Sequence, residues 1–222
     1  MPAPPETIPA PVARRGPWAT LDADSPVVAA PSRVHLSQVL AALSHALDLT
    51  EGQPVGHSIR SCLIAMRIAR ELELAPRDRS ALYYAMLLKD AGCSSRILDK
   101  PAALTPEERK AIERHPVYTW EILSHVGAFA ELAPVASAHH EKLDGSGYPW
   151  GLAAAQLDFP SRILAVADVY EALTADRPYR AGMSREAALD IIARDRDTKL
   201  CGIAIDALSA YTLALAELPT DL

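Results

Sequence analysis

Aromatic side chains make up only 5% of this 222-residue chain, with three tryptophans and two phenylalanines. Strands draw on aromatic and β-branched residues. A chain that is half apolar yet poor in aromatics instead fills its core with Ala, Leu and Ile and favours packed helices. Cysteine is scarce as well. Cys62, Cys93 and Cys201 are odd in number and far apart, which excludes a disulfide framework and points to free thiols in a reducing compartment. Basic charge is in deficit: 22 Lys and Arg face 28 Asp and Glu, a net charge of −6, which argues against a nucleic-acid polymer as partner. No apolar run is long enough to span a bilayer, and the N-terminus lacks the apolar stretch of a secretory signal. The expectation is a cytoplasmic protein with no membrane partner.

Proline, by contrast, is abundant at one end: eight fall within the first 31 residues. Residues 1–33 therefore read as an extended or disordered arm, or a linker behind an upstream domain. Residues 34–222 read as the ordered domain, with helical periodicity throughout. The spacing predicts a helix over 35–49, with Leu36, Val39, Leu40, Leu43 and Leu47 on an inward stripe. Further helices are expected from His57 to Leu72 and from Arg77 to about Ala91, where Gly92 stops the second. Thr105-Pro106-Glu107-Glu108 forms a capping box at the head of the next, with His115 inside that helix and Pro116 kinking or splitting it. Residues 131–140 are expected to be helical, so that His139 and His140 continue a stripe of Leu132, Val135 and Ala136. Pro160 opens a helix to Leu173 and Ser184 caps another. The fold class is an all-α, multi-helix bundle.

The chemistry concentrates in His139-His140-Glu141, followed by Asp144-Gly145-x-Gly147-Tyr148-Pro149. Imidazole is the commonest protein ligand for transition metals, and adjacent histidines near carboxylates suit a divalent ion. Asp168 lies within the apolar run Ile163–Val169, and Asp90 ends the run Ala85–Lys89. A carboxylate so placed requires a charge partner, a directed donor or a metal. Taken singly, Asp168 reads as an aspartate held by an arginine or a backbone N–H, and His57 and His115 as satisfied or surface histidines. Four histidines and two carboxylates on the helices of one domain together indicate a metal site.

These segments carry a resemblance. His139 to Pro149 is similar, without a gap, to the His-His-Glu-x-x-Asp-Gly-x-Gly-Tyr-Pro motif of the HD-GYP branch of the HD superfamily of metal-dependent phosphohydrolases. Val166-Ala167-Asp168 through Arg177-Pro178-Tyr179-Arg180 resembles a second segment of that family, and Ile97 to Pro101 with Leu104 to Pro116 resembles the stretch between. The resemblance implies an HD-domain fold and hydrolysis of cyclic di-GMP at a site of two or three metals, often iron. It makes His57, Asp90, His115, His139, His140 and Asp168 metal ligands, with Asp90 bridging two ions. It implies that Arg177 and Arg180 hold phosphate, as the bidentate guanidinium can, and that Tyr148 and Pro149 shape a loop touching substrate or a signalling protein. The chemistry implied is attack of a hydroxide on phosphorus between two ions.

The chain departs from the family pattern at three places. The dyad that names the superfamily reads Lys89-Asp90, and an ammonium has no lone pair to give a metal. Cys93 stands where a lysine is usual, and Gln53 where some members place a third-metal glutamate. The expectation is one divalent ion, iron or manganese, rather than two, with Lys89 and Asp90 as the residues on which catalysis turns and the Lys89 ammonium balancing Asp90 and Asp168. Function then divides among a cyclic di-GMP signalling domain of low or absent turnover, an active cyclic di-GMP phosphodiesterase, and a phosphohydrolase acting on another phosphoester.

Overall fold

A computed structural model describes residues 35–51, 56–93, 104–177 and 180–216, all within a unit running from His35 to Leu222. The proline-rich arm, Gln53, Ile97 to Pro101, Pro178 and Tyr179 lie outside the described residues. Nine α-helices fall among the described residues: α1 (Leu36–Glu51), α2 (His57–Glu71), α3 (Pro76–Leu88), α4 (Pro106–Ile112), α5 (His115–Ser124), α6 (Ala133–Ser137), α7 (Phe159–Thr174), α8 (Arg185–Arg194) and α9 (Gly202–Ala216). Two short 3₁₀ turns lie at Ala130–Leu132 and Ala154–Gln156. Among the described residues there is no β-strand, only isolated bridges. The all-α expectation holds.

Helix α2 packs against α1, α3, α7 and α9, and α7 also meets α3, α6 and α8. The shared core is built from small and branched side chains: Ala65, Ile68 and Ala69 of α2, Leu82, Ala85 and Met86 of α3, Ile163, Leu164 and Ala167 of α7, and Ala204 and Leu208 of α9. The alanines let neighbouring helices approach closely, which is how a chain poor in aromatics fills its interior. Cys62 and Cys201 belong to this core, and burial pushes the Cys62 thiol up to about 12. None of Cys62, Cys93 and Cys201 forms a disulfide. No described helix is long and apolar enough to cross a membrane.

Local start signals act as the sequence indicates. Thr105 Oγ1 accepts from the Glu108 N–H at 3.2 Å while Glu108 Oε2 accepts from the Thr105 N–H at 2.8 Å, a complete capping box. Ser184 caps α8 through the Ala187 N–H, and α7 starts one residue before Pro160, capped by Asp158 on the Ser161 N–H.

Several helix ends and faces differ from expectation. The inward stripe of α1 is corrected: Leu36, Val39 and Leu43 are exposed, and the buried face is Leu40, Ser44 and Asp48. Asp48 is turned inward because it accepts from Ser58 Oγ at 2.7 Å in the first turn of α2. The N-cap of that helix is Gly56, whose φ of +83° suits glycine and which gives no side-chain cap, so the Asp48 carboxylate from α1 takes the capping role, 3.4 Å from the Ser58 N–H.

Helix α3 ends at Leu88 rather than Ala91, which sets Lys89 and Asp90 in a turn. Here Gly92 lies against α5 so closely that a Cβ on it would sit 2.3 Å from the His115 carbonyl oxygen. Thr119 Oγ1 locks the contact, accepting from the Gly92 N–H and donating to the Lys89 carbonyl. His115 is not mid-helix: the chain breaks after Ile112 and His115 starts α5. The helix expected over 131–140 is only Ala133–Ser137 after its 3₁₀ turn, because Pro134 forces a fresh start. The histidine pair lies in the turn beyond it.

Candidate metal centre

The helix breaks aim the histidines. His115 Nδ1 donates to the Ile112 carbonyl at 2.6 Å and His139 Nδ1 donates to the Ala136 carbonyl at 2.7 Å. Each ring thereby caps the helix end three residues before it. A carbonyl only accepts, so each Nδ1 carries the proton and each Nε2 carries the lone pair. The two Nε2 atoms face each other at 2.9 Å. One nitrogen from each of His115, His139 and His140 lies within 4.8 Å of the others. Asp90 Oδ1 faces the same point, 3.7 Å from His115 Nε2 and 3.5 Å from His139 Nε2. Converging lone pairs and a carboxylate repel unless a cation stands between them, so these residues fit a divalent metal. Backbone carbonyls on the second ring nitrogens are the usual support for such ligands.

Burial, with His139 adding to it and Asp90 opposing, pushes the His115 imidazole down to about 4. Burial acts on His140 in the same direction. The unfolded chain takes a proton on His115 near pH 6.5, whereas the folded one refuses it until about pH 4. Stability present above the unfolded value is therefore lost as pH falls through that window, by about 3 kcal/mol for His115 alone. Urea midpoints of the metal-free chain, compared above and below the window, check this. Equal midpoints would contradict it.

The other half of the site holds an ammonium. Lys89, 2% exposed, donates from Nζ to Asp90 Oδ2 and to His57 Nε2 at 3.1 Å, and pairs with Asp168 Oδ1 at 2.9 Å. Asp168 Oδ1 is buried, and the Lys89 ammonium is its counter-charge. Burial opposes the charge on Lys89, but Asp168 and Asp90 outweigh it and hold the amine protonated above its ordinary range. Both carboxyls, which burial alone would raise, are held below theirs, with Lys89 the leading cause. Asp90 thus has one oxygen toward the histidine trio and the other toward Lys89. All six residues assigned as ligands meet around it.

Two carboxylates in this region have roles that the sequence reading did not assign. Glu141 does not reach the trio. Its two oxygens accept from the Trp150 and Leu152 N–H groups, each at 2.8 Å, and latch the glycine-rich loop. Gly147 is needed there because a Cβ would fall 2.5 Å from the Glu141 Cα. The latched loop lays the Tyr148 ring over His140, 4.7 Å between centroids. Glu171, fully buried on α7, accepts from His57 Nδ1 at 2.5 Å and from Arg60 Nε at 2.8 Å, and lies 3.6 Å from Arg177 Nη2. Its signal in the sequence was faint: a second acid one helical turn after Asp168 on an apolar helix.

The arginine pair divides. Arg177 points into the site beside Glu171. Arg180 donates from Nη1 to the Leu173 and Ala181 carbonyls and from Nη2 to the Ala172 carbonyl, closing the end of α7.

A helical bundle that turns four histidines and two buried aspartates onto one point is the architecture of a metal-dependent phosphohydrolase, and the comparisons agree. A family model described as the HD domain matches residues 41–201. The chain is 38% identical over 190 residues to the 3'3'-cGAMP-specific phosphodiesterase 3 of Vibrio cholerae, covering 84% of this chain and 41% of that protein. It is 33% identical over 176 residues to a cyclic di-GMP phosphodiesterase response regulator of Xanthomonas campestris, covering 77% of this chain and 47% of the relative. A crystal structure of a cyclic GMP-AMP-specific phosphodiesterase of V. cholerae matches with a TM-score of 0.60 at 25% identity, over 80% of this chain and 49% of that one. The chain belongs to the HD-domain family of metal-dependent phosphohydrolases, in its HD-GYP branch. It spans less than half the length of these curated relatives.

Proposed function

We propose that this chain is a cyclic-dinucleotide signalling domain with one metal position, held by Asp90, His115, His139 and His140, and with slow or absent hydrolysis. The observation that carries the reading is the Lys89 ammonium, bonded to His57 and Asp90 and paired with Asp168 at 2.9 Å. It stands among the groups that a second ion would need. A bound ion, iron to suit the imidazoles or manganese to suit the carboxylate, would polarise a phosphoryl oxygen. The chain's own residues do the rest. The helix-end carbonyls of Ile112 and Ala136 hold the His115 and His139 protons on Nδ1, so that both Nε2 lone pairs would be available to such an ion. Arg177, 3.6 Å from Glu171, would meet a phosphate oxygen, and Arg180, bonded to the Ala172 carbonyl, would act on α7 instead of on substrate. Tyr148, packed over His140, would contribute an aromatic contact to a base or ribose. The relatives named for cyclic di-GMP and 3'3'-cGAMP support cyclic di-GMP or a related nucleotide as the ligand. A signalling protein would meet the loop at Trp150, which is 43% exposed and pairs edge-on with Trp120 beside an apolar cavity of about 450 Å³.

The phosphodiesterase names of the relatives favour a second reading, an active enzyme. Metal content and hydrolysis of cyclic di-GMP and 3'3'-cGAMP, measured on wild type and Lys89→His, separate the two. One ion per chain with weak turnover in the wild type, and a second ion with raised turnover in the variant, is the expected outcome. Two ions and strong turnover in the wild type would establish the active enzyme.

A further inference from the structure

We infer that Glu171 is a positioning residue: by setting the tautomer of His57 it makes that ring an acceptor for Lys89 and so keeps the ammonium seated in the site. This deepens the single-metal reading and rests on it. The sequence alone does not pair Glu171 with His57, which lies 114 residues away.

Donors and acceptors here form one line. Arg60, on α2 one turn after His57, donates to Glu171 Oε1 from Nε at 2.8 Å, with Nη2 2.7 Å from the same oxygen. Oε2 faces His57 Nδ1 at 2.5 Å, with Arg177 Nη2 at 3.6 Å. Two guanidiniums, Arg60 at 2.7 Å and Arg177 at 3.6 Å, face this buried acid and keep it ionised. An ionised carboxylate only accepts, so the His57 proton must sit on Nδ1 and the lone pair on Nε2. Nε2 lies 3.1 Å from Lys89 Nζ, which only donates. The order Arg60, Glu171, His57, Lys89, Asp90 is therefore consistent only one way round. Charge agrees with geometry. Lys89, Arg60 and Arg177 offset Asp90, Asp168 and Glu171, so this half of the site is neutral with the lysine in place.

Glu171→Gln reverses the line. Arginine donates only, so the amide oxygen turns to Arg60 and the NH₂ faces His57. Nδ1 must then accept, and Nε2–H is turned against the ammonium.

The test is the tautomer of His57, read from ring ¹⁵N resonances of the full chain with zinc as a diamagnetic ion. The expected wild-type signature is a protonated Nδ1 and an unprotonated Nε2. In Glu171→Gln the unprotonated resonance should move to Nδ1, and Glu171→Asp, again acceptor-only, should return it to Nε2. A wild-type His57 protonated on Nε2 overturns the inference without any variant, and so does a folded Glu171→Gln that keeps the wild-type signature. Both results are independent of metal count. Two zinc ions per wild-type chain would instead sink the single-metal reading.

Discussion

Lys89→Met is expected to lower the folding stability of the metal-free chain by about 3–5 kcal/mol, the cost of breaking a buried ion pair from one side. Methionine is close to lysine in length, so the loss comes from charge and not from a cavity. Asp90 Oδ2 loses its lysine donor, and Asp168 Oδ1 loses the ammonium that the structure sets 2.9 Å from it. Both carboxyls, now held below their ordinary range chiefly by the lysine, would rise toward neutrality. The variant should also differ from an ordinary destabilised mutant, because His57, Asp90 and Asp168 remain and the uncharged thioether leaves the ammonium's place to an ion. Manganese or zinc should restore most of the lost stability. Urea denaturation with and without added ion measures both effects. A loss below about 1 kcal/mol in chelator would show that the ammonium supplies no more than a surface pair does.

His139→Ala should weaken metal binding by at least about 100-fold, since changes to groups merely supporting a ligand already cost about 10–100-fold. His139 is 2% exposed and faces both His115 Nε2 and Asp90 Oδ1, so its loss removes the middle of the ligand set. The metal-free chain should suffer less than for an ordinary buried side chain. The deletion leaves a small cavity, but it relieves the opposition of two lone pairs 2.9 Å apart. The sign of the metal effect is therefore diagnostic. Added manganese or zinc should raise the melting temperature of the wild type and leave that of His139→Ala unchanged. An equal rise in both would place the ion elsewhere.

Much of the site was legible because its residues are chemically out of place. A carboxylate inside Ile163–Val169 and paired imidazoles after an apolar turn stand out on any helical reading. Glu171 did not stand out, since a glutamate three residues past Asp168 is what a solvated helix face also shows. Only its burial against His57 and Arg60 reveals it. Arg180 illustrates the reverse. Beside Arg177 it reads as half of a phosphate clamp, yet its guanidinium reaches three backbone carbonyls near the end of α7. Glu141, to which the sequence reading gave no role, holds the loop by two N–H groups.

Helix existence followed from periodicity and capping chemistry, which are local: Thr105 and Ser184 cap where they stand in the sequence. The end of α3 and the buried face of α1 did not, because contacts between distant segments decide them. Gly92 against α5 ends α3 and exposes Lys89 and Asp90 to the histidines, and Asp48 turns α1 inward to serve α2. The sequence by itself determined the all-helical class, the HD-GYP resemblance and which six residues could meet. The tertiary structure alone decided that they do meet, that Asp90 faces both halves, and that the lysine's charge stands in one of them. Residue type sets what a group can donate or accept, but only its neighbours in space set where the lone pairs point.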